Sequence, residues 1–297
     1  PRMNATLIDS PILRRASHAE LPEVETMRCG ILPILGCRID DVRRRASQLR
    51  PIAISPRFGG FRRKVVARRI DSVDRIGKRV VLLIDSGDRI VIEPRMTGRL
   101  LLADPPNRSH VRLVFHLQGG AAEQLIFWDV RGLGVVQLLT PAEFEDRLGP
   151  QRIGADALRI TADQLRTRLA GSRRAIKVAL LDQQVVAGIG NIYASEILHR
   201  ARIHPAMACN VLRHGQWKRL VRVIGEVLEE AISCQGSTLS DGNYRTPSDQ
   251  AGGYQMHHQV YQRTGQMCLR CRKKPIVRLV QVQRSTFFCP VCQPLNR

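Results

Sequence analysis

The chain has 297 residues and carries 47 basic against 26 acidic side chains, a formal charge of +21. That length points to about two domains with room for a small third. A composition 43% hydrophobic and 25% charged excludes a disordered or fibrous chain, and no apolar run approaches the roughly 18 residues that span a bilayer, so no membrane protein is expected.

Residues 1–18 show no periodicity and read as an appended arm. The stretch after Met3 is broken by Asp9 and Pro11, so no export signal is expected and the compartment reads as a reducing cytoplasm. A short helix is predicted from Glu20. Pro22 suits its first turn, Glu23 and Glu25 suit the positive end of its dipole, and Gly30 and Pro33 stop it. Short strands follow, predicted at Lys64–Ile70, Arg79–Ile84, Arg89–Ile92, His110–His116, Gln124–Asp129 and Val135–Leu139. Turn residues such as Asp85-Ser86-Gly87-Asp88 separate them. Strands in succession without helices between them imply an antiparallel sandwich or barrel.

Near Leu148-Gly149-Pro150 the period changes. Helices are predicted at Arg173–Asp182 and Ile192–Arg200, and a long one through Leu220, Val223, Ile224, Val227, Leu228, Ala231 and Ile232. Gly188-Ile189-Gly190-Asn191 reads as a flexed turn with Asn191 placed to cap the next helix, whose unpaired N–H groups would suit a phosphate. Residues 236–254, rich in Gly, Ser, Asp and Asn, read as a mobile loop. The chain closes on Cys268, Cys271, Cys289 and Cys292, spaced C-x2-C-x17-C-x2-C, which reads as one tetrahedral zinc site. Cys29, Cys37, Cys209 and Cys234 read as small buried hydrophobes.

Only six cations are lysine, leaving 41 arginines. With a sequence pI near 10.9, a polyanionic partner is expected, nucleic acid first.

Three separated motifs sharpen this. Ala19-Glu20-Leu21-Pro22-Glu23-Val24-Glu25-Thr26, Gly188-Ile189-Gly190-Asn191-Ile192-Tyr193-Ala194-Ser195-Glu196 and Gln283-Arg284-Ser285-Thr286-Phe287-Phe288-Cys289 occur in this order. Together they resemble the formamidopyrimidine-DNA glycosylase family over residues 19–293. The resemblance implies an α+β multidomain fold: an N-terminal antiparallel β-sandwich with an N-terminal helix over 19–150, a helix–two-turns–helix domain over 151–258 and a zinc finger on a β-hairpin over 259–297. It implies damaged double-stranded DNA in the cleft between the halves, excision of oxidised purines and strand cleavage at the abasic site. One structural zinc ion and a monomer in the bacterial cytoplasm, associated with the nucleoid, are expected.

By the same resemblance, residue 19 holds the position of the nucleophile. The family uses the amine of an N-terminal proline there; this sequence has Ala19, preceded by 18 residues, so its nitrogen is an amide. Glu20 matches the general acid–base glutamate. Lys78 matches a lysine used for phosphate contact and proton transfer, and Arg284 an arginine on the phosphate beside the lesion. Lys177 and Asn191 match phosphate ligands, and Arg108 and His110 are expected on the DNA side. Met96, Arg131 and Leu133 match the residues that fill the hole left by the flipped base, with Leu133 where phenylalanine is usual and Gly132 in place of a second arginine. Glu93 and Pro94 replace a His-Leu pair, and residues 240–244 take the place of a lesion-capping loop. A non-catalytic binder of damaged DNA is the second reading; an RNA-associated zinc protein, the third, leaves Glu20 and Met96 without a role.

Overall fold

The computed structural model describes residues 19–45, 50–239, 242 and 244–295. The expected arm 1–18, and Ser240, Asp241 and Asn243 of the expected capping loop, lie outside the described residues.

The first helix, α1 (Leu21–Gly30), starts and stops where the sequence places it, and Glu23 accepts the N–H of Glu20 at its mouth (3.0 Å). Two sheets follow. One orders β1 (Arg38–Arg44), β7 (Val111–Gln118), β8 (Gln124–Asp129) and β6 (Gly98–Leu101). The other orders β2 (Ala53–Ser55), β9 (Val135–Leu139), β5 (Arg89–Glu93), β4 (Arg79–Ile84) and β3 (Ile70–Ile76). Every pairing is antiparallel except β2 with β9. Inward side chains of both sheets, among them Val42, Phe115, Phe127, Leu82, Ile90 and Val136, meet in one core that also takes Val24 and Met27 of α1.

The strand expected at Lys64–Ile70 is not formed there. A helix, α2 (Phe58–Val65), occupies its first residues and β3 begins at Ile70. Phe61 and Val65, four apart, bury one helical face, and Ala67 then turns the chain with φ 66°. The β-branched residues Val65 and Val66 that suggested a strand serve a helix end and a loop.

The second half holds α3 (Pro141–Leu148), β10 (Ala155–Asp156), α4 (Ala162–Leu169), α5 (Ile176–Leu180), β11 (Val186–Ala187), α6 (Asn191–Arg200) and α7 (His214–Ser233). α5 is shorter than the helix expected at Arg173–Asp182. Ala175 bridges Ala208, and Arg174 accepts the Cys209 N–H, so the segment ahead of α5 is held extended. Trp217, Leu220, Ile224 and Leu228 of α7 build a core that extends to Ile276, Phe287 and Cys289 of the last module, whose hairpin pairs β12 (Val277–Gln281) with β13 (Arg284–Phe288).

Arg75 on β3 clamps the two halves. Its guanidinium meets Glu25 of α1 at 2.8 Å and Asp156 of β10 at 2.7 Å, with 8% of the side chain exposed. Arg75→Met would strand Asp156, while Glu25 keeps its pair with Arg28 (2.7 Å). It is expected to cost about 2 kcal/mol, less than a fully buried pair because Glu25 and Asp156 keep 17% and 22% exposure. A fall of several degrees in the thermal midpoint checks this.

Candidate active site

The nitrogen of Ala19 donates to the carbonyl of Arg95 (2.7 Å), and the N–H of Leu21 donates to Gly188 (3.0 Å). Between them the Glu20 side chain is buried, and its carboxylate accepts the N–H groups of Ile192 (2.9 Å) and Tyr193 (3.3 Å) at the start of α6. Gly190 lets it come this near, because a Cβ at that residue would collide with the Glu20 carboxyl. Two expectations are corrected here. The amides read as open to a phosphate are satisfied by Glu20, which also neutralises the positive end of the helix. Asn191 is the first residue of α6 and not its cap. Burial pushes the Glu20 carboxyl up to about 7 against the pull of Lys78, with Glu23 adding to the rise.

Behind it lies a buried network that motif matching alone missed. Glu23 accepts from the Tyr193 hydroxyl (2.6 Å) and from the Ser237 N–H (2.8 Å), and the Ser237 hydroxyl lies 3.2 Å from Nε2 of His258. A second glutamate three residues after Glu20 was the visible signal; it reads equally well as a helix-dipole residue.

Lys78 sits on the turn between β3 and β4. Its ammonium has no hydrogen bond or ion pair among the described residues. Glu20 is the charged group that acts most strongly on it. Burial holds its pKa below the usual lysine range against Glu20, and the positive charge of Arg284 adds to the fall. Arg284 is exposed at the start of β13, reached from β12 through Val282 and Gln283, both at positive φ. The structure thus brings residue 19, Glu20, Lys78 and Arg284 into one electrostatic neighbourhood.

Lys177 is placed differently from the expected phosphate contact. It is fully buried, and its ammonium donates to Asn191 Oδ1 (2.6 Å), Ser285 O (3.1 Å) and Thr286 Oγ1 (2.8 Å). It therefore braces α5, α6 and the Arg284 hairpin together, and Asn191 is one end of that brace. Burial pushes its pKa down to about 7, against Glu20 and with Arg284.

Met96 and Arg131 come together, with Nη1 of Arg131 3.3 Å from the Met96 sulfur. Asp129 holds both loops: it bonds the Thr97 hydroxyl and accepts the N–H groups of Arg131 (3.1 Å) and Gly134 (2.8 Å). Met96 and Leu133 are half-buried, and neither belongs to a buried core cluster. Gly132 has φ 61° and packs on the Arg50 carbonyl, where a Cβ would collide, so no arginine fits there. Glu93 is paired with Arg79 (3.1 Å) and Arg95 (2.8 Å), so its charge is offset within the protein. Arg108 is exposed; His110 is half-buried against Trp128, its Nδ1 unpaired among the described residues.

The sulfurs of Cys268, Cys271, Cys289 and Cys292 lie within 4.8 Å of one another. The Cys268–Cys292 and Cys271–Cys289 separations are 3.8 and 3.6 Å. Four thiolates around zinc at about 2.3 Å would stand roughly 3.8 Å apart, so the residues fit one zinc ion. One cysteine pair precedes β12 and the other follows β13, so the metal would close both ends of the hairpin that carries Arg284.

The chain matches the family model of the formamidopyrimidine-DNA glycosylase N-terminal domain over residues 19–136. It matches that of the formamidopyrimidine-DNA glycosylase H2TH domain over 149–242, and that of the zinc finger found in FPG and IleRS over 265–295. It is 40% identical to the formamidopyrimidine-DNA glycosylase of Chloroflexus aurantiacus over 279 residues, 92% of this chain and 97% of the relative. Its fold is similar to the Fpg crystal structure from Thermus thermophilus, with TM-score 0.80, 36% identity, and coverage of 94% of this chain and 100% of the other. It is likewise similar to the Lactococcus lactis Fpg in complex with DNA containing an abasic site, with TM-score 0.81, 32% identity, and coverage of 93% and 100%.

Proposed function

The chain belongs to the formamidopyrimidine-DNA glycosylase family, and from that premise we propose that it excises oxidised purines, formamidopyrimidine and 8-oxoguanine among them, and cleaves the strand at the abasic site. The observation that carries this reading is the buried Glu20 carboxylate on the N-terminus of α6, beside residue 19 and the ammonium of Lys78, which has no hydrogen bond or ion pair among the described residues. A binder without catalysis is not favoured, because a DNA grip alone gives no reason to bury an ionisable carboxyl next to a desolvated ammonium.

In the proposed reaction an amine at residue 19 adds to the sugar C1′, the base leaves with a proton, and a Schiff base remains. Glu20 and Lys78 deliver and remove the protons. Arg284 and Lys78 hold phosphates, with Arg108 and His110 along the groove, while Met96, Arg131 and Leu133 fill the hole left by the flipped base. Lys177 and Asn191 act through the position of the Arg284 hairpin. The protein would work as a monomer on chromosomal DNA in the cytoplasm, with the three units bounded at 19–150, 151–258 and 259–297. Among the described residues no helix is long and apolar enough to cross a membrane.

Glu20→Gln, made in a chain that begins at Ala19 so that the nucleophile position carries an amine, tests the reading. On a duplex containing an oxidised purine, base release is expected to fall by about 10²–10⁴-fold with binding nearly unchanged. Release at the parental rate would overturn the role of Glu20. The parent's acid-dependent step should weaken as pH rises through about 7, where Glu20 loses its proton. Stability follows the same sign. The folded state binds more protons than the unfolded chain between 4.5 and about 7, so the Glu20 contribution falls as pH rises through that window.

A further inference from the structure

The cleft residues use only a few of the 47 basic side chains. Between residues 42 and 70 the sequence has ten basic side chains and no acidic one. The inward positions there are apolar: Val42 on β1, and Phe61 and Val65 on α2, are buried, which turns Arg43, Arg62 and Arg63 to solvent, and Arg44 is exposed at the end of β1. Asp41 joins the two elements into one surface. It meets Arg62 at 2.8 Å and Arg43 at 2.9 Å, and these arginines remain 50% and 71% exposed. Arg44, Arg57 and Arg63 are exposed, with no side-chain hydrogen bond or ion pair among the described residues.

This surface lies on an edge of the sandwich. β1 is the outer strand of its sheet, at the opposite edge from β6, which follows the Met96 loop. The segment leading from β1 to α2 touches the cleft side, where the Arg50 carbonyl packs on Gly132, next to Arg131. No large hydrophobic side chain is exposed among the described residues 38–70, so the surface lacks the apolar or aromatic anchors that protein partners use. Arginines without carboxylate partners repel one another, and their planar forks match phosphate oxygens. At about 3.3 Å per residue, the seven residues of β1 run roughly two thirds of a turn of duplex.

We infer that the β1–α2 edge is a second contact surface for duplex DNA, which grips phosphates outside the segment held in the lesion cleft. This rests on the reading of that cleft as a DNA site. On this inference a duplex leaving the wedge at Arg131 would run past Arg50 toward Arg57, Arg63 and Arg44.

The test compares the parent with the triple variant Arg44→Glu, Arg57→Glu, Arg63→Glu on two duplexes bearing the same abasic-site analogue. One duplex is just long enough to fill the cleft and the other extends well beyond it on both sides. On the long duplex, affinity is expected to fall at least about tenfold, and the slope of log affinity against log salt to become shallower by about 2–3, at roughly 0.9 per lost phosphate. On the short duplex, both should stay near the parent. Parental behaviour on the long duplex, or equal losses on both, would overturn the inference and leave the surface to another polyanion. If the parent fails to bind the short duplex, it is the cleft reading that fails. Should circular dichroism show the glutamate variant misfolded, the corresponding triple glutamine variant carries the same comparison, with a smaller expected loss.

Discussion

A chain that begins at Ala19 is expected to give a borohydride-trappable adduct with abasic DNA, while the 297-residue chain gives little trapping and little strand cleavage. The nitrogen lone pair of an internal residue is delocalised into the preceding carbonyl, so it cannot add to an aldehyde carbon. Freed by cleavage after His18, the same nitrogen becomes a primary amine. A primary amine adds and loses water as a secondary one does, so the chemistry does not require proline. The site is already built around that atom: Ala19 donates to Arg95, Glu20 to Glu23 and Leu21 to Gly188. These bonds hold the backbone on both sides of the nucleophile position and set the buried Glu20 carboxyl next to it. Ala19→Pro in the shortened chain should trap at least as well. The difference between long and short chains should exceed about a hundredfold, because it is the presence or absence of the nucleophile. Gel-resolved adduct after reduction measures it. Efficient trapping by the long chain, mapped to another residue, would place the nucleophile elsewhere.

Cys289→Ser should remove zinc and, with it, most of the affinity for abasic DNA. Cys289 lies directly after β13 and is fully buried in the same core as Trp217 and Ile276. Zinc binding in small modules is itself folding free energy, about 10–16 kcal/mol in finger peptides, far more than a two-stranded hairpin supplies alone. When the hairpin loosens, Arg284 loses its place and Lys177 loses two acceptors, Ser285 O and Thr286 Oγ1, while its ammonium stays buried. Metal analysis should show near-complete loss, and binding should weaken about a hundredfold, the product of a lost charged contact and a lost support. A zinc-free variant that binds like the parent would show that the module does not place Arg284.

The strands that turn residues punctuate were legible, at Arg79–Ile84, Arg89–Ile92, His110–His116, Gln124–Asp129 and Val135–Leu139, whereas the edge strands β1 and β6 were not read. Lys64–Ile70 was not, because Val65, Val66 and Ile70 give it a strand's β-branched composition while Phe61 and Val65 share a helical face. Local pattern supports both, and the sandwich core, which needs Phe61 and Val65 on the same side, chooses. Gly132 was a bare departure from the family pattern until the Arg50 carbonyl beneath it gave the reason.

The sequence by itself determined the family, the order of the three units and the four cysteines that fit zinc, because these depend on residue identity at short, fixed spacings. Only the tertiary structure decided what the charged side chains touch. Glu20 and Ile192 are 172 residues apart, and Lys177 and Thr286 are 109 apart. Whether a carboxylate caps a helix or an ammonium meets a phosphate depends on which groups burial brings within about 3 Å, and no local spacing encodes that. The amides expected to await a phosphate are therefore occupied by Glu20, and the lysine expected at the DNA is closed inside the protein, where it supports the hairpin of Arg284.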